Sequence, residues 1–301
     1  MKDLKHLIYF EQLLDEAGNE LVMQAVSEGK KAVGYTCYHM PEILLNLDNC
    51  FSVRMRAPRT GSLEISTYYM TNYLCGYAKA LVERGIEGGY NFLSALAGGE
   101  TCTEMNRTLE HFELLNLVKN DKFFVSFIDV PFKVTPHGVA HYKNQIQKKV
   151  LEPLHERYGT DISDAAIRRA VAEHNELCRI ITEIGEYRKL PNPPITGYEF
   201  HVLCLVSYCC PKYLIIDRLR ETLEDAGASI FGNSTGYLFC GASIGTLPAF
   251  KAAFPTSPFV NTGALGPTCN AHAPNEWLDL AYAEKLTCVF AELIAGIPSE
   301  N

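Results

Sequence analysis

Three cysteines sit where a strand is expected to pass into a helix. Cys37 ends the apolar segment KAVGYTC and is followed by Pro41 and Glu42, Cys75 opens the helical segment LCGY, and Cys102 follows Glu100 and Thr101. In open α/β sheets the carboxyl ends of the strands are where ligands bind. A thiol at a helix N-terminus is biased toward thiolate. Three thiols at three such junctions converge on one edge if their strands are neighbours, and thiolates are the ligands that iron–sulfur clusters take. The separations match no compact cysteine motif, so spacing alone leaves a metal site and buried thiols as alternatives. The chain holds eleven cysteines in 301 residues, too few for a disulfide scaffold and odd in number. In a reducing compartment such thiols are buried hydrophobes, catalytic groups or metal ligands. Free cysteine is among the most buried residue types, which is the reading for most of them. Cys204, Cys209 and Cys210 fall in an apolar helix, where neighbours point in different directions, and they read as packing groups.

The elements that must position these residues alternate between strand and helix. The first 30 residues have helical apolar spacing that stops at Gly29. Strands are expected at 31–37, 52–56, 90–97 and 123–130, and helices at 68–85 and 103–119. This alternation predicts a parallel sheet with both faces covered. Residues 139–189 read as nearly all helix, with Asp161 or Ser163 as a cap. A proline-rich break follows at 190–196. A helix over 198–224 carries Pro211, which must kink or split it. After Gly227 the texture changes to Gly, Ser, Thr and Pro with few charges. Strands are expected there at 237–240 and 259–262 and helices at 248–254 and 278–295. The fold class is α/β, a Rossmann-like parallel sheet with a helical segment and a small α/β C-terminal tail, divided at 1–226 and 227–301.

Residues 1–224 resemble the N-terminal half of the 2-hydroxyacyl-CoA dehydratase D-component family, which is related to benzoyl-CoA reductase subunits. The resemblance rests on GYTCYHMPEIL from Gly34, VRMR from Val53, YLCGYA from Tyr73, GYNFL from Gly89 and ETC from Glu100, in that order. It implies a subunit built of Rossmann-like halves around an oxygen-sensitive 4Fe-4S cluster held by three cysteines. Cys37 and Cys75 match the first two ligand positions, and Cys102 sits at a recurrent family cysteine. The implied activity is that of a lyase, removing water from a 2-hydroxyacyl-CoA by ketyl-radical chemistry. The implied partners are an acyl-CoA substrate, a homologous dehydratase subunit and an ATP-dependent iron–sulfur activator protein. The family chain continues past Glu224 with a second Rossmann-like half, and this sequence departs from it there.

The tail instead resembles the end of M20-family zinc peptidases, through Ser243 to Pro248, Gly263 to Pro267 and the segment NAHAPNEW from Asn270. His272 matches a metal-binding histidine of that family. A catalytic zinc needs about three protein ligands, and no His-x-Asp element supplies the others. Two accounts of the junction are open: a fused or rearranged chain with a truncated dehydratase half, or a tail adopted as a structural cap. The alternatives to the dehydratase are thus an M20-type zinc hydrolase fragment and an inactive scaffold that pairs with a complete homologue.

Composition sets the outer bounds. A formal net charge of −8 and 21% charged residues give no basic face for nucleic acid. No apolar run reaches the roughly 18 residues of a membrane span. The N-terminus lacks signal-peptide form, so the expected location is the cytoplasm. Arg54, Arg56 and Arg59 form a local basic cluster suited to coenzyme A phosphates or to an exposed loop. Glu83, Arg84 and Glu87 read as a solvated helix face, and His137, His141 and His155 as solvated or capping groups.

Overall fold

A computed structural model describes residues 5–190 and 193–231. The chain divides into two units, Met1–Gly236 and Tyr237–Asn301. The expected tail elements and His272 lie outside the described residues.

Strands β1 (Lys31–Tyr35), β2 (Cys50–Arg54), β3 (Leu93–Gly99) and β4 (Phe124–Ile128) form one parallel sheet in the order β2-β1-β3-β4. Residue pairs run Val33 to Ser52, Gly34 to Leu96 and Ala97 to Ser126, with an irregularity between Ala32 and Val33. The chain leaves β1 toward β2 and then crosses back to β3, so the order reverses between β1 and β3. That reversal is the switch point at which such sheets open a crevice.

Both faces of the sheet are buried. Helices α3 (Glu64–Met70), α4 (Gly76–Ile86) and α5 (Thr103–Leu114) belong with one face, where Phe51, Val53 and Leu96 pack with Leu81, Leu109 and Phe112. On the other face Val33, Ala95 and Ile128 pack with Ile146, Val150, Leu154 and Ala170. These come from α6 (Pro136–Ile146), a π-helical turn at Gln147–Leu151, α7 (Glu152–Tyr158) and α8 (Asp164–Glu186). Each fully buried large side chain contributes about 1.5–3 kcal/mol. Gly34 is required by this packing, because a Cβ there would lie 2.8 Å from Met55 Sδ and 3.1 Å from Leu96 Cδ1. A helical layer completes the unit. Phe10 and Leu13 of α1 (Lys5–Leu14) meet Ile180 and Ile184 of α8, Val202 and Val206 of α9 (Gly197–Cys209), and Ile215 and Leu219 of α10 (Lys212–Phe231).

Four expected helices are divided, each for a local reason. The first 30 residues hold α1 and α2 (Glu20–Ser27), separated because Asn19 leaves the helical conformation to cap α2. Its Oδ1 accepts from the Leu21 and Val22 amides, and its Nδ2 donates to Leu13 O. The 68–85 helix is broken at Thr71, whose φ of 69 ends α3, and restarts at Cys75. The 139–189 stretch is divided by Gly159, left-handed at φ 68, and α8 starts at the Ser163 cap. Pro211 separates α9 from α10, as a residue without an amide proton must.

Candidate functional site

The three thiols occupy one edge of the sheet. Cys37 lies two residues past the end of β1 and is half-buried. Cys75 is the N-cap of α4, exposed, with Sγ accepting from the Ala78 amide at 3.3 Å. Cys102 is the N-cap of α5 and also exposed. Crossover helices run opposite to the strands, so both helix N-termini open at the carboxyl edge. The first turn of α4 adjoins the second turn of α5, where Thr108 Oγ1 donates to Ala78 O at 3.3 Å. The loop after β1 adjoins the end of β3, since a Cβ on Gly98 would lie 3.1 Å from Thr36 Oγ1 and one on Gly99 would lie 3.7 Å from His39 Cβ.

The two capping thiols differ electrically. Cys75 Sγ accepts the Ala78 backbone N–H at the N-terminus of its helix. Cys102 instead donates to Glu104 Oε2 at 3.0 Å, and this contact raises its pKa while lowering that of Glu104. Among the described residues no three His, Cys, Asp or Glu side chains come together as a single-ion site. Ligands of one metal, at bonds of about 2.3 Å, must crowd within about 4.6 Å of one another. A cubane is larger and its thiolates stand further apart. The donor set here is three sulfurs on an accessible edge, two of them at helix N-termini. In softness and charge it suits an anionic iron–sulfur cluster.

Cys37 is followed by Tyr38, which lines two cavities. One cavity, about 600 Å³, is lined by Tyr38, His39, Thr101, Phe132 and Tyr142. The other, about 650 Å³, is lined by Met40, Ile43, Arg54, Tyr77, Leu205 and Tyr208. Both combine apolar walls with a few polar groups, the composition of small-molecule sites.

Beneath the second cavity is a cluster that sequence reading missed. Glu42 Oε1 accepts from Lys212 Nζ at 3.0 Å, and Glu42 Oε2 accepts from Tyr35 OH at 2.6 Å. His174 Nδ1 lies 3.2 Å from Glu42 Oε1, within ion-pair distance but off the line of a hydrogen bond. Lys212 is 1% exposed. Burial, together with the carboxylate, pushes the Tyr35 hydroxyl far above its ordinary pKa. Burial, with Lys212 nearby, lowers that of His174. Glu42 stands in the GYTCYHMPEIL segment, but Lys212 and His174 come from α10 and α8, and no local signal joins them.

Other expectations resolve as follows. Cys209 and Cys210 are buried, Cys209 against Arg56 Nε at 3.0 Å and Cys210 against Asn19 Nδ2 at 3.4 Å. Burial raises both thiol pKa values. Of the basic cluster, Arg54 and Arg56 both line the second cavity, Arg56 also donating to Leu14 O, whereas Arg59 pairs with Asp15 and Glu16. The α4 face is not simply solvated, because Glu83 is 4% exposed and accepts the Ser66 amide at 2.7 Å at the start of α3. His141 pairs with Asp129 at 2.8 Å, and His155 Nδ1 lies 2.9 Å from Thr160 O. No helix among the described residues is long and apolar enough to cross a membrane.

The chain is 19% identical over 219 residues to the (R)-phenyllactyl-CoA dehydratase beta subunit of Clostridium sporogenes, across 73% of this chain and 57% of that protein. It thus spans little more than half the length of that relative. Residues 37–237 match the family model for the 2-hydroxyglutaryl-CoA dehydratase D-component. The match begins at Cys37, just past β1, and takes in β2 to β4 together with Glu42, His174 and Lys212, so the chain belongs to the 2-hydroxyglutaryl-CoA dehydratase D-component family.

Proposed function

We propose that the chain is a subunit of a 2-hydroxyacyl-CoA dehydratase, a lyase, and that Cys37, Cys75 and Cys102 hold a 4Fe-4S cluster in it. One observation carries the reading: three thiols share the carboxyl edge of the sheet beside its switch point, within a chain of this family. When bound, such a cluster supplies one electron to the thioester carbonyl, which makes loss of the 2-hydroxyl feasible.

The chain's own residues then bind and orient the substrate. The cavity beside Cys37 takes the acyl part against Met40, Ile43 and Leu205, with Arg54 at its wall as a cation for polar groups of the thioester. Tyr35 donates to Glu42, and Lys212 neutralises that carboxylate, so the floor of the cavity is ordered before substrate arrives. Tyr38, Tyr73 and Phe132 are large apolar side chains exposed around the same edge. An exposed apolar rim of this kind is a protein interaction surface, and its proposed occupant is a homologous dehydratase subunit. An ATP-dependent iron–sulfur activator would deliver the electron.

The test is catalytic. The complex isolated without oxygen from its native source, supplied with reductant, activator and ATP, is expected to convert a 2-hydroxyacyl-CoA to the 2-enoyl-CoA. Iron-loaded complex that forms no enoyl product across aliphatic and aromatic 2-hydroxyacyl-CoAs contradicts the assignment.

A further inference from the structure

Helix α8 carries a thiol and an imidazole that the dehydration reaction does not use, beside the Glu42 carboxylate of the cavity floor. Cys178 Sγ lies 3.3 Å from His174 Nε2, one helical turn away. The other ring nitrogen of His174 faces Glu42 Oε1 at 3.2 Å. The charge of the carboxylate at that distance favours the Nδ1–H tautomer without a hydrogen bond, which leaves Nε2 to accept the Cys178 proton. Glu42 is itself fixed by Lys212 and Tyr35. This is a nucleophile, a base and an orienting group in sequence, the arrangement that activates a neutral thiol. Cys178 is exposed, whereas His174 lines the second cavity together with Tyr208. Held 3.3 Å from His174 Nε2, the thiol stands beside that cavity.

We infer that Cys178, with His174 as base and the Glu42 charge beside the imidazole, accepts the acyl group of an acyl-CoA thioester bound in the adjoining cavity. The inference rests on the reading that this cavity takes an acyl thioester. Cys178 Sγ bonds to the thioester carbonyl carbon as its proton passes to His174 Nε2. The carbon–sulfur bond to coenzyme A then breaks, and the departing thiolate takes the proton from His174. The products are an acyl thioester on Cys178 and free coenzyme A thiol. One thioester replaces another, so no oxidant or reductant is consumed.

The groups facing His174 are Glu42 from the turn after β1, Lys212 from α10, and Cys178 from its own helix. Buried next to an ammonium, the imidazole stays neutral to lower pH than a free histidine. The rate of acyl transfer is therefore expected to rise with pH, with its inflection below about 6.5, and then to level.

The experiment uses the full chain with phenylacetyl-CoA and acetyl-CoA. Intact-mass spectrometry is expected to show one added acyl group, mapped to Cys178 and lost in Cys178→Ser. His174→Gln should slow acylation at least 100-fold and remove the inflection, while far-ultraviolet circular dichroism stays unchanged. Alkylation of Cys178 by iodoacetamide should slow in the same variant. No acylation of Cys178, or equal rates in folded His174→Gln, overturns the inference. Binding of a thioether analogue of the acyl-CoA, which cannot transfer its acyl group, separates the two readings. Analogue binding without acylation overturns the inference alone, whereas no binding removes the acyl-thioester reading of the cavity as well.

Discussion

Removing Glu42 should destabilise the protein more than any other single change at the cavity floor. Lys212 is 1% exposed and its ammonium lies 3.0 Å from Glu42 Oε1, while Tyr35 OH is spent on the other oxygen. Glu42→Ala leaves a buried cation without its 3.0 Å partner, with the field of Glu173 at longer range. Breaking a buried ion pair on one side costs about 3–5 kcal/mol. Because Glu173 partly compensates, a loss of about 3 kcal/mol is expected, which at a urea slope of about 2 kcal/mol per M moves the midpoint down by about 1.5 M. Replacing both charges in Glu42→Gln with Lys212→Met should recover most of that loss, since an apolar replacement of a buried pair is often neutral. Urea titrations followed by circular dichroism measure both. A loss below about 1 kcal/mol in Glu42→Ala, or no recovery in the double variant, refutes the claim that the carboxylate neutralises a desolvated lysine.

Glu83→Ala should cost about 1–3 kcal/mol, because it leaves the Ser66 amide at the start of α3 without its 2.7 Å acceptor; a urea midpoint equal to wild type counts against that capping role. The pKa of His174 is lower folded than unfolded, so its stabilising effect is complete above about pH 6.5 and is lost as pH falls below it. Urea midpoints at pH 7.5 and 5.5 should therefore fall further in the native protein than in His174→Gln, and parallel falls contradict the assignment. Thiol labelling of the native apoprotein should modify Cys75, Cys102 and Cys178 quickly, and spare Cys50, whose pKa burial raises to about 11, along with Cys209 and Cys210. Peptide mapping by mass spectrometry reads the order.

The sheet was legible because each strand is a short apolar run between turn residues, and buried parallel strands need little else. The strand-to-helix positions of Cys37 and Cys102 followed from the same alternation, whereas Cys75 stands between two helices, α3 and α4. Helix breaks were harder. Apolar spacing runs on through Thr71, and only the backbone turn at that residue and the sulfur cap at Cys75 reveal two helices. Asn19 ends one helix register through contacts to α2 and to distant Cys210, which no sequence window contains. Charged residues misled the reading of α4: Glu83 looks solvated in sequence, but the fold turns it inward to serve α3. The Glu42, His174 and Lys212 cluster draws on three segments whose meeting depends on how α8 and α10 pack. Arg54, Arg56 and Arg59 look like one patch in sequence; Arg54 and Arg56, two residues apart, both reach the second cavity, and the following turn sends Arg59 to Asp15 and Glu16.

Iron and acid-labile sulfide, counted per chain after anaerobic reconstitution, test the cluster assignment most directly. About four of each are expected on the native chain, the content of one cubane, with loss of the brown chromophore in Cys37→Ser, Cys75→Ser and Cys102→Ser. Folded native chain that stays colourless and iron-free, or three serine variants that keep full iron, would contradict it.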